Sequence, residues 1–509
     1  MKANSKVVVR GSIIMFIGIV ARTIILFIRK IYIGRALGAE ILGSFTLAHT
    51  IFQIVTLISL FGLYRTINRF SPQFRTEKND NKLNTLIGTF LKFSVLLSIV
   101  FTIIVFGCAP FFSDLFNDQQ LAQELRILIL CTPLFIGIRL LVAISTSFEN
   151  TKLEALIEHI MLTITTTVAL VILVSLGIRE HAISYSFLIG YVLNLALTVF
   201  LTRYTNLKHL KFSKLLKNFD KRYLFYSIPI FIFSVLTFLT QWFDTFILGY
   251  FNSSEDVGVY NIALTISTLP TLLSSSLSTS FFPTVSRLIS SGELKETKRL
   301  YRDIIRILLF ITVPLMATLV AFSNEILGVF GKEFHSSNFL MLYLIFGALF
   351  TIVTGPIDLV LTALDKQKMV TVNAIISIVV SIILSFLLIP KYGILGAAIA
   401  NSAAISTQRL LGLIELKLIK NFTPYTMKTY FIIFVGSVLS LSLYLLKPYV
   451  IPEVIYSNML LAIGFLALCT VGSYSAFLII VVLFKLYHEK DKNLIITTIR
   501  KFIPNGLPN

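Results

Sequence analysis

Basic side chains stand where an apolar sequence makes them conspicuous. Arg22, Arg29 and Lys30 interrupt the first hydrophobic run, Arg35 follows it, and Arg139 lies inside a later one. A charge at membrane depth is costly and usually faces a cavity or a partner. Arg22 and Arg29 are two helical turns apart and share a face, with Gly11 and Gly18 on the same stripe. A guanidinium can give two parallel charge-assisted hydrogen bonds to a phosphate-like oxyanion. The chemistry on offer is therefore anion binding. Lys30 and Arg35, nearer the end of the run, would serve lipid headgroups equally well by snorkelling. A second group combines Gln241 and Asp244, three apart on one helix face, with Asp358 beside Gly355-Pro356. The proline removes a backbone donor and marks a hinge. Glu154, Glu158 and His159 read as residents of the membrane interface rather than a proton relay.

These residues must be positioned by membrane-spanning helices. The chain has 509 residues, 56% hydrophobic and only 14% charged, with mean hydropathy +0.86. Soluble domains carry about a quarter charged residues. A spanning helix needs about 20 apolar residues, and about fourteen such stretches are expected. They fall near 11–33, 42–64, 85–107, 125–147, 154–176, 181–201, 223–250, 258–280, 303–323, 338–362, 369–389, 394–415, 428–446 and 458–484. The first is too long for a removable signal peptide and lacks a small-residue cleavage site.

The net charge of +19 sits in linkers, not in a folded patch, which argues for membrane orientation over nucleic-acid binding. Lys and Arg crowd the linkers 65–82, 203–222 and 287–306 and the tail from Lys485. The alternate linkers 108–124 and 251–257 carry only acids. The positive-inside rule then places both termini in the cytoplasm and the chain in the cytoplasmic membrane. Cys108, Cys131 and Cys469 form neither a disulfide framework nor a metal spacing and read as packing residues. No phosphate-binding Gly-rich loop with a lysine and no HExxH pair occurs. No cofactor is expected, and a non-enzymatic role is.

The two halves resemble each other. Gly34 to Ala48 aligns without a gap on Gly249 to Ala263, sharing both flanking glycines, an acid, an aromatic after the second glycine, and the final alanine. Phe70-Ser71-Pro72 answers Phe281-Phe282-Pro283, and Gly177-Ile178 answers Gly393-Ile394. The expected organisation is a six-helix bundle over 1–212, a second over 213–422, and two additional helices with a basic tail over 423–509. An even number of spans per unit makes these parallel repeats, related by an axis along the membrane normal, with a cleft between them suited to alternating access. At the repeat offset Asp244 falls opposite Arg29. The two could pair to close an external gate, or Asp244 could carry a coupling proton or sodium ion, or be satisfied locally.

The run Tyr32-Ile33-Gly34-Arg35-Ala36-Leu37-Gly38-Ala39-Glu40-Ile41-Leu42-Gly43 resembles the signature after the first helix of polysaccharide-type flippases. Phe243 to Tyr250, followed by Val257-Gly258-Val259-Tyr260, is similar to their seventh-helix signature. These O-antigen flippase-like proteins belong to the multidrug/oligosaccharidyl-lipid/polysaccharide exporter superfamily, and the resemblance spans roughly residues 5 to 420. It implies a pair of six-helix bundles and a lipid-linked oligosaccharide as cargo. Arg22, Arg29, Lys30, Arg35 and Arg139 would then meet the phosphate or pyrophosphate of a polyprenyl carrier, with Gln241, Asp244 and Asp358 in gating or ion coupling. Glycosyltransferases or a glycan polymerase would be partners. The alternatives are a cation-coupled drug exporter, a lipid II flippase, and a membrane glycan polymerase. An exporter of organic cations should line its cleft with acids, and a polymerase should carry a sizeable external loop; neither feature is present in the sequence.

Overall fold

A computed structural model describes residues 2–147, 153, 156–205, 219–336, 338–423, 425–450 and 459–484. Among them there is no strand, and nearly all residues are helical. Helix follows from the apolar runs: with no water to satisfy peptide groups, each segment must close its hydrogen bonds internally. Large apolar side chains face outward on these helices, including Ile103, Ile172, Phe225 and Leu468. A soluble protein does not present such a surface, whereas a bilayer solvates it.

The first part comprises α1 (Lys2–Leu60), α2 (Leu63–Thr76), α3 (Asp80–Gly107), α4 (Ala109–Leu115), α5 (Leu121–Ile129) and α6 (Cys131–Ser147). After a π-helical turn (Leu156–Met161) come α7 (Leu162–Ser175) and α8 (Ala182–Thr205). There follow α9 (Lys221–Phe251), α10 (Ser254–Thr268), α11 (Thr271–Ser290), α12 (Leu294–Ala321) and α13 (Ser323–Gly328). The rest is α14 (Asn338–Thr354), α15 (Ile357–Ala363), α16 (Gln367–Tyr392), α17 (Ile394–Lys420), α18 (Met427–Val450) and α19 (Met459–Leu483).

Ten described stretches are long and apolar enough to cross a membrane. The expected spans differ from these where helices merge or break. The first two follow one another directly in α1, as two helices that meet at a kink where Gly38 is non-helical (φ 87°, ψ 177°). Only glycine adopts that conformation cheaply. The Ala39 N–H donates to Glu333 Oε2 at 2.7 Å, so the bend leaves that donor satisfied. The span expected at 258–280 is broken between α10 and α11, where Pro270 precedes the first residue of α11. The break in the tenth falls at Gly355-Pro356, between α14 and α15, with Gly355 at φ 57°. The expected hinge residues thus mark an actual interruption. Glu154 lies outside the described residues, as do the side chains of Glu158 and His159 and the basic segments 206–218 and 485–509.

The chain forms two compact units. The first holds Met1–Ala263, Phe330–Phe334 and Ala374–Ala404. Part of its core is Leu63, Ile67, Phe74, Leu86, Ile87, Phe90 and Ile144, where α2, α3 and α6 pack. The second holds Leu264–Val329, His335–Asn373 and Ile405–Asn509. There α18 lies close to α12, because Gly436 leaves no room for more than a hydrogen against Val313. Lys447 of α18 pairs with Glu325 at 2.9 Å. Of the three cysteines, all free, Cys131 is buried, Cys469 half-buried and Cys108 exposed.

One polar node ties the first unit together at a helix end. Glu124 is fully buried and accepts from Ser184 and from His181 Nδ1 at 3.0 Å. The hydrogen bond to Glu124 raises the His181 pKa, aided by the charges of Glu124, Glu180 and Asp118 and opposed by burial. A raised pKa means that the contribution of His181 to stability is complete below its ordinary value of 6.5. It is lost as pH climbs through the higher folded value. The melting temperature of the detergent-solubilised protein is expected to fall across that interval, and His181→Ala to flatten the decline. An unchanged slope in the variant would show that the pair does not titrate with folding.

Candidate functional site

Five helical stripes converge on one cavity of about 400 Å³ in the first unit. Before the Gly38 bend, α1 contributes Arg22, Leu26, Arg29, Lys30 and Ile33; beyond it, Leu42, Phe45, Thr46, His49, Phe52 and Gln53. Their spacing of three, four and seven is that of one helix face. α6 adds Phe135, Ile138 and Arg139; α7 adds Leu162, Thr163 and Thr166; α8 adds Phe187, Tyr191 and Asn194. Trp242 of α9 and Asn261 of α10 complete the wall.

Among the described residues the wall carries Arg22, Arg29, Lys30 and Arg139 and no carboxylate. Arg29 is buried, donates from Nη1 to Thr166 Oγ1 at 3.0 Å, and lies 4.6 Å from the Phe187 ring centroid. Lys30 donates to Asn261 Oδ1 at 2.6 Å. Arg139 sits 5.1 Å from the ring centroids of both Tyr64 and Phe135. Neutral oxygens and ring faces are thus among the groups that orient these cations. A second cavity, of about 560 Å³, shares Gln53, Phe135, Arg139 and Trp242 with the first and extends past Tyr64 to Arg65 and Gln241. The second unit has a groove of about 550 Å³, bordered by Val313, Phe346 and Gly436, with no charged lining residue.

Four of the expected anion-binding residues are thus brought together. Arg35 is not; it is exposed beyond the cavity, just before the bend. Gln241 lines only the second cavity. The gate pair expected between Asp244 and Arg29 is not formed. Asp244 is buried and accepts from the Tyr260 hydroxyl, from Asn401 Nδ2 at 2.8 Å and from the Thr245 N–H at 2.8 Å. Local donors satisfy that carboxylate, while Arg29 turns to Thr166 and Phe187. Asp358 pairs with Arg409 Nη1 at 2.8 Å in the second unit. Sequence reasoning missed Tyr260, Asn401 and Arg409 because each lies on a different helix from its partner. It also passed over His49, Trp242 and Asn194, which carry no charge to stand out in an apolar run.

A further feature concerns the repeat. Gly43 packs so tightly that a Cβ would strike the Ser254 carbonyl and the Gly258 amide; a Cβ on Gly258 would strike the Ala39 carbonyl. The same offset separates Ala39 from Ser254 as Gly43 from Gly258, the offset at which the two runs align in sequence. Self-complementary contacts of this kind are what a two-fold relation produces. Asp118 fastens the corner, accepting from the Ser44 hydroxyl, from Ser254 Oγ at 2.5 Å, and from the Gln120 N–H at 2.9 Å.

Spanning helices around a cavity whose described lining is cationic define a polytopic membrane protein with a site suited to an anion. The sequence model described as "Polysaccharide biosynthesis protein" matches residues 73–339, just over half of the chain, and the chain belongs to that family. The resemblance read from the first- and seventh-helix runs is borne out. The Haloferax volcanii protein named "Probable low-salt glycan biosynthesis flippase Agl15" is 26% identical over 414 residues, 79% of this chain and 82% of that one. The solved structure titled "Lipid II flippase MurJ, inward closed conformation" matches with a TM-score of 0.71 at 19% identity, covering 93% of this chain and 99% of that chain. An inward-facing multidrug resistance MATE family transporter of the MOP superfamily matches with a TM-score of 0.66 at 14% identity, covering 81% and 99%. Both structures share the fold expected from the sequence.

Proposed function

We propose that this protein is a flippase of the cytoplasmic membrane that carries a polyprenyl-(pyro)phosphate-linked oligosaccharide to the external leaflet, for surface glycan synthesis. The observation that carries this reading is the cavity whose described lining gathers Arg22, Arg29, Lys30 and Arg139 and no carboxylate. Phosphate or diphosphate would be taken from water by these cations, whose cost of burial is already met by the fold. The saccharide would fill the remaining space, and the isoprenoid would stay in the bilayer. The naming of the archaeal relative as a glycan biosynthesis flippase agrees. A lipid II flippase is the second reading, since lipid II is itself a polyprenyl diphosphate saccharide. A drug exporter for organic cations is disfavoured by the sign of the cavity, and the family gives no support to a polymerase.

In this scheme both termini are cytoplasmic, and the halves 1–212 and 213–422 act as parallel repeats, with 423–509 appended. The paired glycine contacts support the duplication. Asp244 serves as the residue that couples transport to a cation. Asp244→Asn is expected to leave cargo binding intact and to remove the dependence of transport on a proton or sodium gradient; dependence retained in the variant would exclude that role. The proteins that build and polymerise the glycan are the natural partners.

Deletion in the native host tests the assignment. Lipid-linked oligosaccharide should accumulate on the cytoplasmic face while surface glycan disappears. Unchanged surface glycan, with altered sensitivity to organic cations, would favour the exporter instead.

A further inference from the structure

The amide side chains in the cavity wall are not equivalent. Gln53 approaches His49 at 3.5 Å, and Asn261 accepts from Lys30 at 2.6 Å. Asn194 is fully buried, borders the cavity, and among the described residues has no partner for either its Nδ2 or its Oδ1. A buried carboxamide without partners is destabilising, and α8 gives no structural reason for one. Its neighbours on the same face, Thr198 and Thr202, are satisfied by backbone carbonyls one turn back, at 2.6 and 2.7 Å. They show how that helix handles a polar residue that only has to be buried. Tyr191 and Phe187, one and two turns before Asn194, also line the cavity.

We propose that Asn194 reads the saccharide of the cargo, hydrogen-bonding the sugar next to the phosphate; this rests on the flippase reading above. The chemistry selects the sugar over the phosphate. A phosphate needs donors only, and Arg22, Arg29, Lys30 and Arg139 supply them. A carboxamide presents donor and acceptor side by side. That pattern complements neighbouring hydroxyls, or an acetamido group, on a pyranose. The rings of Phe187 and Tyr191 offer flat apolar faces for the C–H side of the same sugar. A site built around a polar group discriminates strongly against a ligand lacking the matching group, because its own polar atoms are then left unpaired.

The test uses the purified full chain and two kinds of probe: bare farnesyl diphosphate, and farnesyl diphosphate bearing a single hexose or N-acetylhexosamine. The wild-type protein is expected to bind at least one glycosylated probe about tenfold more tightly than the bare one, the scale of one buried hydrogen bond. Asn194→Leu should bind the bare probe like wild type, lose the preference, and melt no lower, since it removes an unpartnered amide. Arg29→Ala should lose both probes. A preference retained in Asn194→Leu, or absent from the wild type, overturns the proposal. So does a leucine variant with weakened affinity for the bare probe, which would make Asn194 structural. A wild-type protein that binds neither probe would instead overturn the flippase reading itself.

Discussion

Arg29→Ala is expected to abolish glycan translocation while leaving the protein in the membrane at its normal level. Arg29 is buried among Thr166, Phe187 and the cavity, and no carboxylate shares its guanidinium. Its charge is therefore available to a phosphate. Truncating one partner of a buried charge pair costs about 2–5 kcal/mol, which is about thirtyfold at the low end and over a thousandfold at the high end. Arg29→Lys keeps the charge but loses the planar fork and should fall between wild type and alanine. Arg22→Ala should behave similarly, since both arginines face the same space. Folding should survive, because alanine removes a cation from the cavity wall and leaves the buried apolar core untouched. Surface glycan and membrane abundance, measured together, check this. Surface glycan within twofold of wild type in Arg29→Ala would remove the arginine from the transport path.

The second large effect concerns the corner where Gly43 and Ala39 meet Ser254 and Gly258. A methyl group on Gly258 would overlap the Ala39 carbonyl, and one on Gly43 would overlap the Ser254 carbonyl. Backbone atoms cannot swing aside as a flexible side chain would, so Gly258→Ala should wedge the corner open. Transport that cycles between opposite openings needs both to close. The expected result is transport lost, and Ser44 and Ser254, now bound to Asp118, becoming accessible. With Ser254→Cys in a background lacking Cys108, Cys131 and Cys469, a membrane-impermeant thiol reagent should label the Gly258→Ala protein and spare its parent. Equal labelling of both, with normal transport, would show that this corner does not move.

Much of the site was legible because charge contrasts with an apolar background. Arg22, Arg29, Lys30 and Arg139 could be named from position alone, and the two-turn spacing of the first pair already put them on one face. Arg35 belongs to the same charge run, yet lies past the wall and is exposed. The sequence left Asp244 open between pairing with Arg29, coupling an ion and local satisfaction, and the structure places it among local donors. Tyr260, Asn401 and the Thr245 N–H were nearer donors, and nothing in the local pattern announces a partner from another helix. Asp358 with Arg409 is the same case. Asn194 was invisible because one amide in an apolar helix is unremarkable until its lack of a partner is seen. The elements themselves were readable from hydropathy. The non-helical Gly38 falls in the gap expected between the first two spans, whereas a boundary failed where Pro270 ends a helix inside an apolar run.

The most direct test of the cationic cavity as the path of the cargo is translocation in reconstituted vesicles. The probe is a polyprenyl diphosphate saccharide with a fluorescent sugar, quenched by a membrane-impermeant reductant from one side. Vesicles containing the protein should expose the sheltered fluorophore far faster than empty vesicles, and Arg29→Ala and Arg139→Ala should return the rate to that of empty vesicles. Translocation at the wild-type rate in both variants would contradict the account.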